Sequence, residues 1–176
     1  MGDLEVLLTL IASLVAVMGG VITATIGTRR YFDNKRHLNV SSSPNHIYAQ
    51  KDNSIIWAAH LEVDNPSHRT RSVNNLRFTS DPKSVSCQIA RLDWTTPGIG
   101  KLRLNLPRGL VDHVVPDADI LKFPLTLPSE SRVGGLVFVL FKPSENLDKF
   151  DVTVELLDGQ CILGTFHQHF HSIHTI

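Results

Sequence analysis

Cysteine is nearly absent: Cys87 and Cys161 are the only two among 176 residues. Thiols that few and that far apart cannot build a disulfide scaffold or a thiolate zinc site with close-spaced ligand pairs. Excess charge is missing too. The 17 basic and 17 acidic side chains cancel to a formal net charge of zero, so no overall field draws the chain to nucleic acid or acidic substrates. Motifs that carry a mechanism are absent as well: the chain has no G-x-S-x-G elbow, no P-loop, no G-x-G-x-x-G after a strand and no H-E-x-x-H. These absences lead away from a nucleic-acid binder and from an enzyme, and no cofactor is expected.

What is present begins with VLLTLIASLVAVMGGVITATI, Val6 to Ile26, which carries no charge. At about 1.5 Å per helical residue it is long enough to cross a hydrocarbon core of roughly 30 Å. A cleaved signal peptide would need a basic leading region and a shorter apolar core, whereas MGDLE is acidic. The following TRRYFDNKRH places Arg29, Arg30, Lys35 and Arg36 beside the span. Such clusters are held on the cytoplasmic side, which predicts an outside N terminus and a cytoplasmic C-terminal domain. The same four residues suit anionic lipid headgroups, although setting topology is the plainer role. Ala12, Ala16, Gly20 and Ala24 recur every four residues, a small-residue ridge that suits a homodimer or docking onto another membrane helix. Residues 1–37 are thus expected to form an anchor in the lipid bilayer with a basic juxtamembrane segment. The polar LNVSSSPN, residues 38–45, reads as a linker.

From residue 46 to 176 the pattern has a period of two. In SIIWAAHLEVDNP, Ile55, Trp57, Ala59, Leu61 and Val63 share one face while His60, Glu62 and Asp64 share the other. KLRLNLP and ILKFPLTLP alternate in the same way, through Leu102, Leu104 and Leu106 and through Leu121, Phe123, Leu125 and Leu127. GLVFVLF, Gly135 to Phe141, is apolar throughout, as a central strand covered on both faces would be. DVTVELLDGQCILGTF carries Asp158-Gly159, a hairpin signal. Shorter strands are expected at 46–50, 73–80 and 85–94, with no amphipathic helix to break the series. An all-β, antiparallel β-sandwich behind one N-terminal transmembrane α-helix is the expected architecture.

LEVDNPS at 61–67 and FPLTLPSESRVGGLVFVLF at 123–141 resemble membrane-tethered immunoglobulin-like sandwiches of the late-embryogenesis-abundant type. In those, a strand ending in an Asn-Pro turn is followed by one ending in a Leu-Pro turn and then by a buried apolar strand. The resemblance implies an immunoglobulin-like fold and no activity. The Cys-Trp-Cys arrangement of antibody domains is missing, so Cys87 and Cys161 read as ordinary strand residues.

Candidate chemistry concentrates at FHQHFHSIHTI, residues 166–176. On a strand, His167, His169 and His171 project from one face, about 6.6–6.8 Å apart, and could share a metal ion that His60 joins if its strand lies near. With Phe166 and Phe170 turned to the core, the same histidines would simply be a solvated face. Asp112-His113, Asp117 and Asp119 are expected in a loop, where a His beside carboxylates could act as acid or base. Trp57 is in phase with a core face; Trp94, beside a Pro-Gly turn, reads as a cap on the core in preference to an exposed anchor. The expected function is a single-pass, membrane-anchored interaction or accessory module with a protein partner or a second copy. The alternatives are a His-rich metal-binding protein and an envelope-facing ligand-binding domain.

Overall fold

The structure, a computed structural model, describes residues 2–171, without the side chains of residues 2–5 and 33–35. His174 and the Lys35 side chain therefore lie outside the described part. The chain divides after Arg36 into a helical unit and a β unit.

The helical unit is α1, Gly2–Lys35. Within it Val6–Phe32, 27 residues, is long and apolar enough to cross a membrane, and every residue of it is exposed. Its hydroxyls obey the rule that hydrocarbon imposes, because a polar group without a partner there costs several kcal/mol, on the order of 2–7. Ser13, Thr23, Thr25 and Thr28 each donate to the carbonyl one turn back, on Thr9, Gly19, Val21 and Ala24, at 2.8–2.9 Å. Ala12, Ala16, Gly20 and Ala24 lie on one exposed face of this helix.

The β unit runs β1 (Asn39–Ala49), β2 (Ile55–Asn65), β3 (Arg71–Val73), β4 (Asn75–Asp81), β5 (Val85–Ile89), β6 (Asp93–Thr96), β7 (Ile99–Leu106) and β8 (Gly109–Pro116). After a single 3-10 turn at Asp117–Asp119 come β9 (Leu125–Leu127), β10 (Ser131–Pro143), β11 (Lys149–Asp158) and β12 (Cys161–His171). A four-stranded sheet has the order β1-β2-β10-β5, a three-stranded sheet the order β12-β11-β4, and a second three-stranded sheet the order β6-β7-β8; β3 and β9 pair alone. All of these pairings are antiparallel, and each sheet is open at both edges.

Three expectations about elements change. The Ser-rich stretch expected as a linker is the first half of β1, where Asn39 to Ser42 pair with Asp64 to Leu61; an edge strand gains its backbone hydrogen bonds without burying side chains. Residues 109–116, expected as loop, form β8 along β7. Of ILKFPLTLP only Leu125–Leu127 is strand, although Leu121 is buried all the same.

Two cores lie on opposite faces of the four-stranded sheet. On one face Trp57, Ala59, Leu61, Val63, Val139 and Phe141 meet Phe150, Val152, Val154, Leu156 and Phe170 of the β12-β11-β4 sheet. Aromatic rings lock the two sheets together: Phe141 lies 5.0 Å from Phe170 and 5.5 Å from Phe150, and Trp57 lies 5.6 Å from Phe170, centroid to centroid. Such pairs contribute about 0.5–1.5 kcal/mol each beyond the area they bury. On the other face Ile56, Ala58 and Phe138 meet Leu102, Leu104 and Val115. The β6-β7-β8 sheet thus adds a third layer to a two-sheet sandwich.

Two glycines are dictated by geometry. Gly159 opens the two-residue turn between Asp158 and Cys161 with φ +61°, where a residue with a Cβ is strained; Asp158, expected in the turn, is the last paired residue. At Gly164 a Cβ would stand 2.5 Å from the Leu38 carbonyl oxygen, at the point where the Leu38 N–H donates to the Leu163 carbonyl at 2.7 Å.

The motif DNPS forms a clasp. Asn65, fully buried, donates through Nδ2 to the carbonyls of Arg69, Leu127 and Pro128 at 2.8, 3.2 and 2.7 Å. Its Oδ1 accepts from the Ser67 N–H and hydroxyl at 3.2 and 2.7 Å. One amide thereby ties the loop after β2 to the end of β9. Replacing Asn65 by Ala leaves these buried groups unpaired and should lower stability by about 2–3 kcal/mol, read by urea unfolding through the fluorescence of Trp57. A loss under about 0.5 kcal/mol would show the clasp to be dispensable.

Candidate functional site

The histidine run lies on β12, and its two faces divide as the alternation requires. Phe170 is buried and Phe166 half-buried, packed against the core, while His167, His169 and His171 are exposed. Their neighbours come from β11, which pairs Thr153 with His167, Asp151 with His169 and Lys149 with His171. One strand further, Asp81 lies opposite Asp151, and Arg77 of β4 pairs with Glu155 of β11 at 2.5 Å. The outer face of this sheet is therefore a continuous polar surface, with the imidazoles along its edge.

Cross-strand partners orient two of the three rings. His167 Nδ1 lies 3.0 Å from the Thr153 hydroxyl. His169 Nδ1 donates to Asp151 Oδ1, which leaves Nε2 as the ring nitrogen not engaged by the carboxylate. Asp151 is invisible in the local spacing, because it lies 18 residues upstream; only the hairpin register centred on Gly159 could have found it. His169 and His171 approach each other with ring centroids 4.7 Å apart, nearly perpendicular. Among the described residues no group of three His, Cys, Asp or Glu side chains converges in a way that would hold a metal ion. His60 does not join the run: it lies on β2 on the face opposite Trp57, beside Gly134, whereas the β12-β11-β4 sheet covers the Trp57 face.

The other candidates separate. Asp112 and His113 are consecutive on β8 and so point to opposite faces. Asp112 pairs with Arg103 at 3.2 Å, and His113 is half-buried, with its ring 5.9 Å from Tyr48 and 6.1 Å from Phe138. Asp117 is bonded to Lys122. No acid–base pair results. Trp94, expected as a cap, is 45% exposed on β6; its ring lies over Gly100 of β7. At the opposite edge of the same sheet, β8 shows Leu110, Val111 and Val114 to solvent at 69%, 47% and 54%.

Among the described residues two ionisable groups are perturbed. Hydrogen bonds from Ser54 hold the Asp52 carboxyl below its ordinary value against a small opposing effect of burial. Burial pushes the Cys87 thiol up, partly offset by Ser80. Cys161 is exposed, and both thiols are free.

Comparison of the chain with known proteins returned no matching family model, no matching curated protein and no matching solved structure.

The two faces of β12 should respond differently to truncation. Phe170→Ala should cost about 3–5 kcal/mol and His169→Ala less than about 1, measured by urea unfolding. Equal losses would contradict the assigned faces.

Proposed function

We propose that the chain is a single-pass membrane protein with its N terminus outside, whose cytoplasmic β-sandwich serves as an interaction or accessory module without catalysis of its own. One observation carries this: a fully exposed 27-residue apolar span is joined to a domain with its own buried cores. Arg29, Arg30, Lys35 and Arg36 after the apolar run support the orientation and suit anionic headgroups. The ridge of Ala12, Ala16, Gly20 and Ala24 supports pairing with a second copy or with another membrane helix.

For a protein partner the most suitable surface is the β8 edge. Among the described residues its outer backbone groups have no strand neighbour, and Leu110, Val111 and Val114 stand exposed beside them, an arrangement suited to strand addition. The immunoglobulin-like assignment belongs to the same proposal. Two sheets facing across one core and the Asn65 clasp support it, while the third layer departs from it.

Topology tests the orientation, and Cys161 supplies an exposed native thiol for the purpose. A membrane-impermeant thiol reagent should label it only after cells are permeabilised. Cys161→Ser should remove the fast labelling, because Cys87 is half-buried and its raised pKa leaves less thiolate. Labelling of Cys161 in intact cells would overturn the orientation and make exterior ligands the leading candidates.

A further inference from the structure

We propose that His169 and His171 form a two-imidazole chelate for a first-row divalent cation on the edge of β12, with Asp151 as a positioning residue. This goes beyond the interaction module and is independent of which side of the membrane the domain faces. The two residues are two apart on one face of a strand, and their rings already meet at 4.7 Å between centroids. Both side chains are exposed, so small rotations of the rings bring both Nε2 atoms to the roughly 2.0–2.1 Å that an imidazole–metal bond requires. Asp151 accepts from His169 Nδ1, which orients the ring and leaves Nε2 for the cation, as carboxylates behind metal-binding histidines do. His167 stands apart from the pair, with its Nδ1 on the Thr153 hydroxyl. No third protein ligand converges on the pair among the described residues. Lys149, directly across from His171, and Asp81, across from Asp151, are the other charged groups facing the site. The imidazole set favours Cu²⁺, Ni²⁺ and Zn²⁺ over Mg²⁺ and Ca²⁺.

The test is titration calorimetry with Ni²⁺ alone on the full chain in detergent, without an affinity tag and with Cys161→Ser throughout to remove the exposed thiol. One ion should bind per chain. His169→Ala and His171→Ala should each weaken binding by about tenfold or more, whereas His167→Ala should change it less than about twofold. Asp151→Ala should weaken it by about tenfold with unchanged circular dichroism, and Asp151→Glu should recover part of that loss. Absence of stoichiometric binding would overturn the proposal, as would an equal loss with His167→Ala.

Discussion

The pairing of β2 with β10 is the constraint on which the domain depends. Eleven consecutive residues on each strand pair without a break, from Ile55 with Phe141 to Asn65 with Ser131. Along the Ile55–Ala59 half both faces of this ladder are covered, one by the second sheet and the other by the third layer. Backbone groups at that depth have no water to turn to, so the ladder must be complete, and here it is. Side chains there must be apolar on both faces, which is why Ile56, Ala58 and Phe138 are as buried as Trp57 and Val139. Where the third layer ends, the outward positions become polar: His60, Glu62 and Asp64 are half-buried, and Glu62 meets Arg132 at 3.4 Å. The remaining strands are arranged around this pair, β1 and β5 extending it at its edges.

Much of that arrangement was legible in the residues. GLVFVLF declared a strand covered on both faces, and the odd positions of β2 declared its core face. The even face was harder to see, because Ile56 and Ala58 are only two residues and the sheet that covers them lies some 50 residues away. The start of β1 carries no apolar period, since an edge strand with exposed serines is held by backbone hydrogen bonds to β2, and serine-rich composition looks the same in a linker. β8 was missed because its exposed Leu110, Val111 and Val114 do not alternate with polar residues.

The candidate site shows the same division. Alternation of His167, His169 and His171 with Phe166, Gln168 and Phe170 was enough to assign the faces of β12. What orients the imidazoles was not legible, because Asp151 and Thr153 reach them only through the register of the hairpin. His60 and His113 illustrate the converse: both are histidines on strands, yet His60 faces away from the sheet that bears the run, and His113 packs on Tyr48 and Phe138. The two units differ in the same physical way. In the domain apolar side chains bury one another, whereas those of Val6–Phe32 are exposed, and hydroxyls of that helix bond to carbonyls one turn back.

Native-state hydrogen exchange, resolved by residue, tests the central claim most directly. If the doubly covered β2–β10 ladder organises the domain, the amides of residues 56–61 and 136–140 exchange last, with the free energy of global unfolding, while those of β6–β8 exchange earlier through partial opening. Exchange of the β2 and β10 amides as early as those of β8 would contradict the account.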